Sequence, residues 1–304
     1  MAKQYEFIRI LNGIWKKNGW SSLIKDRCNP YTCTRTSYIC TSSHKSQEER
    51  SARERLSTAV SNYQARVDLA ASYRGMHFYG MGEGVCNHLT LRAPAADGNG
   101  DVMLLVPHGT HWSEVTASCL LGICLDSGDV VEGDGIAEAS ATNIHMAIHN
   151  TMAPKIQSVM HTHTPYATAL ACLEDSRVRM VHQNSMRFFG KIAYDSDYDG
   201  LPDVEDEGPR LARMLGDKEI LMMGNHGVLA VGHSAAYAFD SLYYLEKACL
   251  FQVLAMSAGT KLHEKPDNIA KKVAESFDAI TVYADRHLDG LKKHLARQEP
   301  HFMS

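Results

Sequence analysis

Between residues 86 and 259 the hydrophobic pattern switches period repeatedly, and this alternation leaves few architectures open. CNHLTLRA and DVMLLVP read as strands around the turn PAADGNG. ATNIHMAIHNTMA reads as a helix and KIQSVMHTH as a strand. TPYATALACL then opens a helix, with Thr164 as N-cap and Pro165 in its first turn. KEILMMGNHGVLAVG reads as strand, turn and strand, and Ser234 caps a long helix over SAAYAFDSLYYLEKACLFQVLAMSAG. Strands and helices in alternation specify a layered α/β domain. SEVTASCLLGICL mixes periods, and DSGDVVEGDGIA reads as turn.

Helical pattern also flanks this region. From Ser46, apolar residues recur at Leu56, Val60, Tyr63, Val67, Ala70 and Tyr73, until Gly80, Gly82 and Gly84 end the run. After Pro266 one amphipathic helix is predicted to about Arg297; its stripe of Ile269, Val273, Phe277, Ile280 and Val282 suits the core or a neighbouring subunit. Residues 1–47 differ, with eight basic and two acidic residues and a Ser/Thr/Cys-rich patch. They read as a disordered extension or a transit segment. The expected organisation is therefore an extension over 1–47, a domain over 48–260 and a helical extension over 261–304.

Composition excludes several classes. The 304 residues carry a net charge of -4, with no basic stripe for nucleic acid. No apolar run reaches the ~20 residues that span a bilayer. LYYLEKACLFQVLAM is interrupted by Glu246 and Lys247, which predicts a soluble chain. The eight cysteines form no C-x-x-C pair and no secretory signal is visible, so reduced thiols are expected. The expected location is cytoplasmic, with mitochondria the alternative through the basic segment.

Of the 16 histidines, eleven fall between His77 and His233. His161 and His163 lie two apart at a strand end, hence on one face. By themselves they supply half a metal site or two hydrogen-bonded histidines. His226, between Gly224 and Gly227, sits in a turn that needs special backbone geometry or in an ordinary hairpin. Together the three make a centre with an open position, the pattern of a catalytic zinc. His145 and His149 share a helix face, but Met146 occupies the zincin glutamate position. His145 reads as a packing residue and His149 as a site-lining candidate. Two imitations are set aside. GMGEGV departs from a dinucleotide fingerprint at Val85 and follows a helix. DSDYDGLPDVED places Asp195, Asp197, Asp199 and Gly200 like a calcium loop, but ends on Asp206 and contains Pro202.

CNHLTLR, VPHGTHWSEVTAS, IHMAIH, SVMHTHTPYATAL, RFFGKIAYDSDYDG, MMGNHGVLAVG and the AYAFDSLYYLEKACLFQ helix, in this order over about residues 50–260, resemble the class II aldolase/adducin family. The resemblance implies a three-layer α/β/α fold with a mainly antiparallel central sheet. It implies a divalent metal, usually zinc, on His161, His163 and His226. It also implies a homotetramer or other homo-oligomer acting on a small hydroxy-carbonyl or sugar-acid substrate, the metal stabilising an enediolate. The family's proton-transfer glutamate matches Ala141 here, and Glu138 would need local rearrangement to take its place. Glu83, Glu114, Tyr166 and His149 are the other candidates for that role. The family's phosphate turns match Cys86-Asn87-His88 and His108-Gly109-Thr110, making Asn87, His108 and Gly109 substrate-binding candidates. VPHGTHWSEVTAS and IAYDSDYDG lean toward the adducin-like branch, which implies a non-catalytic protein of the actin cytoskeleton as the alternative. Adducins use a long lysine-rich tail for actin, whereas KKHLARQEPHFMS is short and mixed. That favours the enzyme.

Overall fold

Hydrophobic alternation in the strands sorts their side chains onto two faces of one sheet. The computed structural model describes residues 38–196, 204–280 and 282–304. It divides into two units, Met1–Ser51 and Ala52–Ser304. Of the first, only the start of helix α1 (Tyr38–Phe78) is described. The transit reading of the basic segment, and Asp197, Asp199, Gly200 and Pro202 of the acidic loop, lie outside the described residues.

In the second unit eight strands form one sheet. They are β1 (His88–Pro94), β2 (Asp101–Leu105), β3 (Leu121–Cys124), β4 (Val130–Glu132), β5 (Ser158–Thr162), β6 (Ile192–Asp195), β7 (Ile220–Met223) and β8 (Gly227–Gly232). Their order is β4-β3-β2-β1-β5-β8-β7-β6. Every pair is antiparallel except β6 with β7. The expected mainly antiparallel α/β sheet is therefore present.

Leu89, Leu91, Leu104, Met160, Met222 and Ala230 point to one face. There they meet α1, α3 (Pro165–Ala171), α5 (Ala235–Ser257) and α7 (Val282–Gln298). Val159, Leu221, Met223, Leu229 and Val231 point to the other, against Ile144 and Ile148 of α2 (Ala139–Met152) and Leu211 and Leu215 of α4 (Val204–Leu215). The period of two thus buries both faces and produces three layers.

Several local expectations change. Helix α1 begins at Tyr38, ahead of Ser46. Its buried stripe starts at Val67, because Leu56 and Val60 remain exposed. The turn-rich DSGDVVEGDGIA contains the short edge strand β4. The helix after Pro266 is two helices, α6 (Asp267–Asp278) and α7; the β-branched Ile280 follows the first and Val282 opens the second, both poor helix formers. The C-terminal segment enters the main core through Leu288, Leu291, Leu295 and Phe302.

Thr164 occupies the N-cap position of α3, but its hydroxyl makes no capping bond. Glu246 of α5 caps the helix instead, accepting from the Tyr166 and Ala167 backbone N–H groups at 2.9 and 2.8 Å. A buried carboxylate at a helix N-terminus satisfies orphan donors and complements the helix dipole. The start of α3 fixes the exit of β5, where the histidines lie.

Candidate metal centre

His161 is on β5, His163 follows two residues later, and His226 sits in the turn between β7 and β8. Their ligand nitrogens all lie within 4.8 Å of one another. His161 Nε2 and His163 Nε2 are 3.1 Å apart. Two nitrogens on one tetrahedral ion would be ~3.3 Å apart at ~2.0 Å bonds.

The outer nitrogens are already engaged. His161 Nδ1 donates to the Val228 carbonyl at 3.0 Å, and His163 Nδ1 meets Glu83 Oε2 at 2.6 Å. Each contact leaves Nε2 as the lone-pair nitrogen facing inward, the arrangement that orients metal-bound imidazoles. Burial, then neighbouring His88, His226 and His163, hold His161 well below its usual pKa. Burial and His163 lower His226. Both are neutral near pH 7, as a ligand must be. Neutral Nε2 lone pairs facing each other at this distance repel unless a cation or proton lies between them. The donor set therefore fits a divalent ion.

The turn has backbone reasons for its composition. Asn225 adopts φ 54°. A Cβ on Gly227 would lie 2.6 Å from His163 Cδ2 and 2.8 Å from the Thr162 carbonyl. Glycine is what lets the β8 backbone pass this close to His161 and His163.

Beside the centre, Asn87, His88, His108, Gly109, Trp112 and Glu138 line a small, open cleft. All three substrate-binding candidates are thus together. Asn87 is buried; its Oδ1 accepts from the Glu83 N–H at 2.7 Å, while its Nδ2 has no partner.

Ala141 does not face the cleft. It is buried against Met103, Leu105, Leu121 and Ile123. Glu138 does reach the cleft, as the N-cap of α2, through Oε2 contacts of 2.6 Å to the Ala141 N–H and the Ser140 hydroxyl. Burial pushes its pKa up, but these hydrogen bonds outweigh that and hold it below the usual value. His149 leaves the set of proton-transfer candidates, since it is fully buried and bonded to Thr90. Glu114 sits in an exposed 3₁₀ turn, and Tyr166 packs against the main core. Glu83 stands beside His163.

Sequence reasoning missed His88 and Thr90 as partners of the helix histidines. His88 Nδ1 meets His145 Nε2 at 2.8 Å, and Thr90 Oγ1 meets His145 Nδ1 at 2.7 Å and His149 Nε2 at 2.9 Å. The signal was present: His88 and Thr90 share one strand face, and His145 and His149 share one helix face.

Residues 67–253 match the class II aldolase and adducin N-terminal domain. The adducin-related protein of Schizosaccharomyces pombe is 31% identical over 236 residues, spanning 75% of this chain and 69% of its own. Among solved structures, an aldolase II superfamily protein from Pseudomonas syringae aligns with TM-score 0.73 and 32% identity, covering 80% of this chain and 96% of that one. L-fuculose 1-phosphate aldolase from Glaciozyma antarctica PI12 aligns with TM-score 0.67 and 26% identity, covering 78% and 92%. With residues 67–253, more than half its length, matched by the family model, the chain belongs to the class II aldolase and adducin family.

Proposed function

We propose that the protein is a metal-dependent, aldolase-like lyase or related enzyme, using zinc and acting on a small hydroxy-carbonyl or sugar-acid substrate. The observation that carries this reading is the convergence of three ring nitrogens whose outer partners, for His161 and His163, are already fixed. An ion held by His161, His163 and His226 supplies Lewis-acid polarisation of a substrate oxygen. The remaining work belongs to the chain. Glu83 and the Val228 carbonyl hold the ligand tautomers. Asn87, His108 and Gly109 line the space for the substrate. Gly109, at φ +84°, turns the backbone in that wall. Glu138 brings an ionised carboxylate into the cleft and is the proton-transfer group we assign in place of the missing glutamate.

Elemental analysis of purified protein is the first test. About one zinc per chain is expected, and none in His161→Ala. A folded sample free of transition metal, even after zinc is supplied, overturns the reading. We expect a homo-oligomer, because Val85, Val130, Val131 and Ile136 are exposed apolar residues. Light scattering checks this, and a monomer overturns the expected oligomer.

The second reading is an adducin-like actin-binding protein without catalysis. It is favoured by Ala141, buried where the family's glutamate would stand. Co-sedimentation with actin filaments tests it, and no pelleting at high concentration removes it.

A further inference from the structure

His161 and His163 are oriented from behind by the Val228 carbonyl and Glu83. His226 reaches the centre on a turn, so its place depends on what holds that turn. Three backbone bonds do so. The Gly224 N–H donates to the Asp195 carbonyl at 2.6 Å, the Asn225 N–H to the Ala171 carbonyl at 3.1 Å and the His226 N–H to the Met223 carbonyl at 3.2 Å. The third lies within the turn. The first two tie it to the last residue of β6 and the last residue of α3. The fit against β6 is close: a Cβ on Gly224 would lie 3.1 Å from the Asp195 carbonyl and 3.3 Å from Ser196 Cα. A shift of the Asp195 main chain would reach Gly224 and, two residues on, His226.

Asp195 is itself gripped from α4. Its side chain is only 4% exposed, and its Oδ2 lies 2.7 Å from Arg210 Nη2. Glu207, one turn earlier on the same helix, aims that guanidinium. Arg210 donates to Glu207 Oε2 through Nε at 2.7 Å and to Oε1 through Nη2 at 2.8 Å. A forked pair of this kind fixes the plane of the guanidinium as well as its charge. Leu211 and Leu215 anchor α4 in the core on the second face of the sheet. Contacts therefore run unbroken from α4 through Arg210, Asp195 and Gly224 to the turn carrying His226. We propose that Arg210 is a positioning residue for the metal centre: by clamping Asp195, at the end of β6, to Glu207 of α4, it holds the turn that delivers His226. The assignment rests on the metal-enzyme reading above.

Charge alone would give Arg210 the opposite effect. Burial and His163 lower the pKa of His226, while Glu207 and Asp195 pull it the other way, so both carboxylates act on this ring through space. A cation between them weakens their attraction for a divalent ion. If electrostatics dominated, removing Arg210 would tighten zinc. The clamp requires that removing it weaken zinc. Two carboxylates that share one guanidinium repel each other once it is gone, and Asp195 loses its tie to α4. The sign of the change separates the two roles.

The test measures zinc affinity by chelator competition and amide hydrogen exchange by NMR on the same variants. Arg210→Met should weaken zinc about tenfold, a usual cost of losing a supporting contact. It should also speed exchange at Gly224 and Asn225 more than at Val159 and Met160 of β5. Arg210→Lys should recover part of both effects, since it keeps the charge without the fork. Glu207→Gln should weaken zinc less than Arg210→Met. Arg213→Met, exposed on the same helix, should change neither reading. A folded Arg210→Met that binds zinc as tightly as the wild type, or more tightly, overturns the proposal. So does unchanged exchange at Gly224. If Arg210→Met does not fold, wild-type affinity in both Arg210→Lys and Glu207→Gln overturns it. If the wild type takes up no zinc, the metal reading fails separately. Exchange at Gly224 in the apo protein then decides whether Arg210 holds the turn.

Discussion

Gly227 shows how much a single position can decide at the residue scale. Its missing Cβ is the space that His163 and the Thr162 carbonyl occupy. Gly227→Ala should displace His163 and abolish stoichiometric zinc, measured by equilibrium dialysis, with a fall in melting temperature. Glu83→Ala should leave the fold intact. It should weaken zinc by roughly 10–100-fold, the usual cost of losing an outer partner of a ligand. The clustering of His161, His163 and His226 was legible in the sequence because strand periodicity and flanking glycines announce themselves. Glu138 was not legible as a cleft residue. Its side chain folds back as a helix cap, which sequence spacing does not reveal. The His88–Thr90 pairing with α2 needed the sheet register and the helix packing together.

At the scale of elements, α3 and α5 form one unit through Glu246. Thr164 and Pro165 correctly announced a helix start, but the capping acceptor comes from a helix some eighty residues later. No local motif could carry that information. Glu246→Ala should cost about 2–3 kcal/mol in urea unfolding, since two buried N–H groups lose their acceptor. Glu246→Gln should cost less, because its carbonyl oxygen keeps one of the two bonds. The strands were legible wherever their residues alternated between the two cores. β4 escaped because it has three residues and two exposed valines at the edge. The split between α6 and α7 followed from β-branched residues that an amphipathic stripe conceals.

At the scale of the molecule, the buried histidines tie stability to pH. Burial holds His145 well below 6.5 and His149 near 3. Between these values and 6.5 the unfolded chain binds more protons than the native one, so stability rises with pH. It is complete above the unfolded value and falls as pH drops through about 6 toward 4. Urea midpoints across pH 4–8 should show this decline. His149→Gln should flatten it if the variant folds, and the wild-type slope alone tests the sign.

The three clustered histidines come from two distant stretches of chain, one leaving β5 and one joining β7 to β8. An ion there bridges segments that the unfolded chain holds apart, and the unfolded chain has no comparable pocket. On the metal-enzyme reading proposed above, zinc is a ligand of the native state only, adding RT ln(1 + [Zn]/Kd) to stability. The melting temperature becomes a meter for free zinc, climbing with the logarithm of its concentration and falling to a fixed floor in chelator. Plotted for wild type and His226→Ala, that slope reports occupancy without any substrate in hand.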